Sequence, residues 1–257
     1  MPLSEEQIER FSRHILLKEV GGRGQEKLLA SSALVIGAGG LGSPAALYLA
    51  AAGVGRIGLV DFDTVSLSNL QRQILYGTKD VGRPKVEAAR ERLRALWPEA
   101  KLDIRRERFS EENARPLVRR YGVVIEGSDN FDTKFLANDA CVAERVPLVM
   151  GGILRFDGQI LTVLPGESAC YRCLFERPPP PQACPSCAEA GVIGALAGVL
   201  GALQATEAIK ILLGIGEPLA SRLLAADTLR GSFREVPVGR RPGCEACGEG
   251  ARTRLPA

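Results

Sequence analysis

A single histidine, His14, stands in the whole of this 257-residue sequence. That shortage excludes mechanisms built on a histidine dyad, a histidine relay or a histidine-rich metal centre, and His14 itself reads as a packed or surface helix residue. Lysine is scarce too, seven residues against twenty-six arginines, so a lysine beside a nucleotide-type loop carries more meaning than usual. The excess of positive charge is only +3, which gives no support for a nucleic-acid partner; basic pairs such as Arg105-Arg106 and Arg240-Arg241 read as solvated faces. Residues 1–11 are charged and lack an apolar core, which argues against a secretory signal and for a cytoplasmic, reducing compartment. Uninterrupted apolar runs are also missing. In the most apolar stretch, residues 192–213, Gln204, Glu207 and Lys210 break the pattern, and it reads as a buried helix rather than a membrane span. Its Gly194-x-x-x-Gly198 spacing lets another backbone approach closely, in the core or in a dimer contact.

What is present fits a soluble globular chain, 46% hydrophobic and 25% charged. The length suits one large domain or one domain with an appendage. Ser4 and Gln7 have capping-box spacing and start a helix expected to run to about Lys18. Gly21, Gly22 and Gly24 are expected to break the chain before another short helix. An apolar strand at 33–36 enters a glycine loop; an alanine-rich helix at 43–52 and a strand at 56–61 follow, the order of a βαβ unit. Val86, Ala89, Leu93 and Leu96 mark a further helix. Strands are expected at 102–105, 123–126 and 148–151, with a helix over 131–144 between the last two. This alternation predicts an α/β fold, Rossmann-like and doubly wound, with a mostly parallel sheet. After residue 151, a turn at Asp157-Gly158 predicts a hairpin between 153–156 and 159–164, the start of an antiparallel C-terminal extension. Pro178 to Pro181 place a long loop over 176–190. The organisation expected is N-terminal helices over 1–31, a nucleotide-binding core over 32–151 and a final part over 152–257.

Gly37, Gly39 and Gly42 have the spacing of a phosphate-binding glycine loop, whose bare backbone N–H groups can approach a phosphate at a helix N-terminus. Asp61 ends the second strand, where an acid can bind ribose hydroxyls. Taken alone, these residues favour a dinucleotide enzyme. The segment 61–73 is a polar loop rich in amide and guanidinium donors, which suits a triphosphate better, and Lys85 follows it. Ser128-Asp129-Asn130 comes after a strand at the carboxyl edge of the sheet, where ligands bind in such folds. A carboxylate there can hold magnesium; a turn or helix N-cap is the plainer role for the same residues.

Seven cysteines are present. Cys170-x-x-Cys173 and Cys244-x-x-Cys247 have the spacing of thiolate pairs on structural zinc, with no position left for catalysis. Free thiols or a redox pair remain the alternative. Cys184-x-x-Cys187 is a third pair. Cys141 sits in an apolar helical context and reads as core.

The glycine loop, the 61–73 segment, Lys85, Asp129-Asn130 and the cysteine pairs, in this order, resemble the MoeB/ThiF family of adenylyltransferases, bacterial relatives of ubiquitin-activating enzymes. The resemblance runs from about Glu5 to Gly248. It implies one adenylation domain over 1–257, whose last part binds the carrier and bears zinc on Cys170, Cys173, Cys244 and Cys247. It also implies that Gly40 lies at the nucleotide phosphates and Asp61 at the ribose. Ser68, Asn69, Gln71 and Arg72 would line the ATP site, Lys85 would touch the nucleotide, and Asp129, with Asn130 beside it, would hold magnesium. Arg13 matches an arginine that reaches the partner subunit's phosphates, which implies a homodimer. Cys187 matches a mobile-loop cysteine that forms a thioester or persulfide in some members. Cys184 and the proline run depart from the pattern. The implied function is ATP-dependent adenylation of a ubiquitin-like sulfur carrier ending in Gly-Gly, in molybdenum-cofactor, thiamine or tRNA-thiolation chemistry. A separate sulfur donor, a cysteine desulfurase or rhodanese, is expected. Competing readings are a tRNA nucleoside dehydratase of the same superfamily, an NAD-dependent oxidoreductase and a non-catalytic nucleotide-binding scaffold.

Overall fold

The structure is a computed structural model that describes residues 2–180, 187–251 and 255. Three helices open the chain: α1 (Glu5–Arg10), α2 (Ser12–Ile15) and α3 (Gly21–Ala30). The capping box forms as its spacing predicts, with Ser4 and Gln7 exchanging side-chain bonds. The single helix expected to Lys18 is instead two, because the chain bends at Phe11, whose ring is buried edge-on against Trp97. Gly21, Gly22 and Gly24 lie within α3 rather than before it; only Gly21, at φ +59°, takes the conformation that breaks the chain.

The core alternates strands and helices: β1 (Ser32–Ile36), α4 (Gly42–Ala51), β2 (Arg56–Val60), α5 (Lys85–Leu96), β3 (Lys101–Arg105), α6 (Glu111–Val118), β4 (Val123–Glu126), α7 (Phe131–Glu144) and β5 (Leu148–Leu154). β6 (Asp157–Val163), α8 (Tyr171–Leu174), α9 (Cys187–Ala190), α10 (Gly194–Leu213), β7 (Arg222–Asp227) and β8 (Ser232–Pro237) complete it. All eight strands join one sheet in the order β3-β2-β1-β4-β5-β6-β7-β8. The first five pair in parallel, and β6, β7 and β8 add on in antiparallel fashion. This is the doubly wound sheet with an antiparallel extension that the alternation predicts. Apart from Ser32 at the start of β1 and Glu126 at the end of β4, these two strands are apolar and buried, as parallel strands covered on both faces must be.

α10 is long and apolar enough to cross a membrane, yet it packs inside the protein against α4 and the sheet. Two of its interrupting polar residues find partners there: the Gln204 Nε2 donates to the carbonyls of Glu126 and Val149, and Glu207 accepts from Thr162 at 2.7 Å and from the backbone of Leu219. Gly201 lets α10 touch α4, since a side chain would strike the Leu41 carbonyl and Pro44; Gly198 faces open space in the chain.

One turn differs from expectation. The β5–β6 hairpin turns at Arg155-Phe156, with Arg155 at φ +55°, and Asp157-Gly158 belongs to β6. Gly158 is required for packing, because a Cβ there would collide with Leu200 of α10. Gly158→Ala should therefore lose about 1–3 kcal/mol through overpacking, whereas Arg155→Gly, which relieves a left-handed residue, should lose nothing. Urea midpoints of the two variants check this assignment.

Candidate active site

The carboxyl ends of β1, β2 and β4 open into a cleft of about 820 Å³ that continues across β5 to β8. Gly37, Gly39, Gly40, Asp61, Arg72, Lys85, Asp129 and Asn130 line it together. Spacing put the glycine loop, Asp61 and Asp129-Asn130 at strand ends, the family resemblance added Gly40, Arg72 and Lys85, and the fold brings them all to one cavity.

The glycines of the loop divide by role. Gly37 has φ +84° and lies against the backbone of Gly127 and Ser128, while a Cβ on Gly42 would run into the Gly37 carbonyl. These two allow the β1–α4 turn to close beside β4. Gly39 and Gly40 face the cleft. A Cβ on Gly40 would press Ala197 at 3.3 Å and the Arg72 side chain at 3.5 Å, so the arginine stem lies directly over this glycine.

Asp61 holds the loop in place. Its carboxylate accepts from the backbone N–H of Ala38 at 2.8 Å and of Asp63 at 2.9 Å. Burial raises its pKa, and Lys85 together with those two N–H donors acts in the opposite direction. Lys85 is itself only 6% exposed; its ammonium reaches Asp63 at 2.8 Å and Asp61 at 3.9 Å, which fixes its charge at the cleft wall. Tyr76 donates to the Ala38 carbonyl from the other side at 2.8 Å.

Asp129 is exposed to the cleft and makes no hydrogen bond or ion pair among the described residues. Its loop is anchored by a pair the sequence reading missed. Glu126 is fully buried and accepts from Ser128 N–H at 2.7 Å and from the Ser128 hydroxyl. Lys134, on the first turns of α7, donates to Glu126 and to the carbonyls of Ser128 at 3.0 Å and Gly151 at 2.6 Å. Removing one partner of such a buried pair would strand the other's charge. An acid closing a buried strand, with a lysine on the following helix, was the available signal. The Asn130 side chain caps α7 by accepting from Thr133 N–H.

Other expected residues lie elsewhere. Gly42 is behind the loop. Ser68 is exposed and its carbonyl accepts from Arg72 at 3.1 Å; Asn69 caps the short turn at Leu67–Asn69; Gln71 is exposed and sits against Gly194. Arg13 is exposed on α2 and does not line the cleft. His14 is part-buried against Gln25, and Cys141 is fully buried. Cys187 begins α9, and Cys184 lies outside the described residues.

The two distant cysteine pairs meet. The sulfurs of Cys170, Cys173, Cys244 and Cys247 all lie within 4.8 Å of one another, with Cys170–Cys244 at 3.6 Å and Cys173–Cys247 at 3.4 Å. Tetrahedral zinc with bonds of about 2.3 Å would separate its sulfurs by roughly 3.8 Å, so the donor set fits the ion. Without a cation, burial pushes the Cys170 thiol up and Cys247 to about 11. Asn138 and the Arg241 backbone N–H point at the sulfurs of Cys170 and Cys173, as outer donors do around thiolate ligands. The purified chain should carry one zinc, and Cys244→Ser should lose it together with about 5 °C or more of melting temperature. Elemental analysis with a thermal melt decides; a metal-free chain of undiminished stability would refute the assignment.

Comparison with known proteins agrees with this geometry. The model of the ThiF family matches residues 11–246. A sulfur carrier protein adenylyltransferase of Thermus thermophilus is 51% identical, over 97% of this chain and 94% of its own. A SAMP-activating enzyme E1 of Haloferax volcanii is 47% identical, over 97% and 92%. An adenylyltransferase and sulfurtransferase MOCS3 of Bos taurus is 49% identical over 96% of this chain, which spans about half (54%) of that relative. A crystal structure of E. coli MccB with MccA-N7isoASN superposes with a TM-score of 0.83, covering 96% of this chain and 75% of that one at 22% identity. That last likeness speaks for the fold.

Proposed function

The chain belongs to the ThiF family, and on that premise we propose that it is an ATP-dependent adenylyltransferase acting on the C-terminal carboxylate of a small ubiquitin-like sulfur carrier ending in Gly-Gly. The observation that carries this reading is the gathering of Gly39, Gly40, Arg72, Lys85 and Asp129 in one cleft. The names of the Thermus and Haloferax relatives support the choice of substrate.

The chemistry asks little of proton transfer. A peptide C-terminus is ionised at neutral pH, so it attacks the α-phosphorus without a general base. A carboxylate oxygen–phosphorus bond forms, the bond to the β-phosphate oxygen breaks, and pyrophosphate leaves with the electron pair. The demand is for positive charge and fixed donors around the phosphates, and a chain with one histidine meets it. The backbone at Gly39 and Gly40 would cradle the phosphates, Arg72 and Lys85 would offset their charge, and Asp61 would offer its remaining lone pairs to the ribose. Ser68, Asn69 and Gln71 would support Arg72 from the rim. Asp129, without a partner among the described residues, would hold magnesium, which when bound neutralises phosphate charge. The stretch of cleft over β5 to β8, with Asp157, Gln159 and Arg234 on its walls, would receive the carrier's tail.

Further steps belong to the same proposal. Any covalent link through Cys187 comes after adenylation: its thiolate attacks the acyl-adenylate carbonyl and AMP leaves. Sulfur is supplied by a separate donor, because activating a carboxylate requires no sulfur chemistry in the cleft. Arg13 would complete the cleft of a second copy, and the exposed Leu16 and Leu17 beside it favour a homodimer face. Cys141, Cys170, Cys173, Cys244 and Cys247 are held in no disulfide, which suits a cytoplasmic protein.

Pyrophosphate exchange into ATP should occur only with a carrier whose Gly-Gly terminus is intact. Arg72→Ala should slow it by about 10²–10³-fold, while Cys187→Ala should retain it. Exchange without any carrier, or none with any Gly-Gly carrier, would overturn the reading.

A further inference from the structure

The residue two places after Gln71 has no assigned role, yet it is the one the fold turns inward. Gln73 is 4% exposed and lines the cleft beside Gly39 and Arg72. Its backbone is held by the Asn69 carbonyl at 2.9 Å. Its side chain has no hydrogen-bond partner among the described residues: Oε1 is buried and unpaired, and Nε2 donates to none of them. Buried amide atoms are rarely left unpaired; here Oε1 is buried, and Nε2 stays open to the cleft with its donors unused. Gly39 contributes to the arrangement. A Cβ there would stand 3.7 Å from Gln73 Nε2, so the glycine keeps the space before the amide open.

The chemistry of that space selects the ligand atom. The same wall carries Arg72, whose stem lies over Gly40, and the backbone of the glycine loop, with Lys85, held by Asp63 and Asp61, on the same lining; the arginine and the loop N–H groups suit an anion. An oxygen anion seated there takes a proton donor from the amide, which matches the Nε2 end facing Gly39. We propose that Gln73 contacts the nucleotide directly, donating a hydrogen bond from Nε2 to a phosphate oxygen held over Gly39 and Gly40. This rests on the reading of the cleft as an ATP site. As a neutral donor in a cleft that also carries Arg72 and Lys85, Gln73 adds direction without adding charge, and it orients the phosphate toward the incoming carboxylate.

Gln73→Met keeps the length and volume of the side chain and removes the donor. Titrations of the whole chain with ATP and with adenosine separate contact from packing. The variant should bind ATP about tenfold more weakly, the scale of one hydrogen bond to a charged group, and adenosine as the wild type does. Unchanged ATP affinity, or an equal loss for both ligands, overturns the proposal. A wild-type chain that does not bind ATP fails at the earlier step and overturns both readings. If Gln73→Met does not fold, the side-chain amide resonance of Gln73 in the wild type gives the answer. It should move on adding ATP and stay still with adenosine; a resonance indifferent to ATP overturns the assignment.

Discussion

One buried carboxylate sets the geometry on which this cleft depends. Asp61 sits at the end of β2 and receives backbone N–H groups from both sides, Ala38 of the glycine loop and Asp63 of the following segment. It thereby joins two loops that share no strand pairing. Lys85 lies within ion-pair distance and is locked by Asp63. A carboxylate with fixed donors in a dry site orients its neighbours as well as charging them. The same side chain that would face a ribose also holds the glycine loop in place, so a nucleotide would meet a site that is already formed.

On the opposite side of the cleft, Glu126 and Lys134 do for the Asp129 loop what Asp61 does for the glycine loop. Lys134 also reaches Gly151, one residue past the parallel pairing of β5 with β4 and within its antiparallel pairing with β6. Lys134 thus ties the Asp129 loop to the strand on which the antiparallel extension is built. Farther out, the cysteine cluster fastens the segment after β8 to the segment after β6. Residues 74 positions apart are brought to sulfur–sulfur contact distance there, which fixes the last strands as a wall of the cleft.

The central βαβ unit and the α7 helix were legible because glycine spacing, apolar runs and caps all pointed the same way. What was missed has identifiable causes. β7 and β8 carry no apolar alternation, and β8 is exposed along its whole length, so pairing rather than burial defines it. The Asp157-Gly158 pair has turn chemistry, but Leu200 of α10, far along the chain, claims that glycine for packing. Gln71 and Gln73 are indistinguishable by residue type; only the turn after Leu67–Asn69 decides which amide faces inward. Lys134 and Glu126 each fit an ordinary helix or strand pattern, and their pairing becomes visible only once α7 packs on the sheet. The two cysteine pairs were readable as ligands by spacing, and the fold supplied their meeting.

The central claim is that this glycine loop, whose spacing alone would suit a dinucleotide, is shaped for a triphosphate. Calorimetric titration of the wild-type chain with ATP and with NAD, magnesium present in both, tests it most directly. ATP should bind with one site per chain while NAD gives no comparable heat; binding of NAD without binding of ATP would contradict the account.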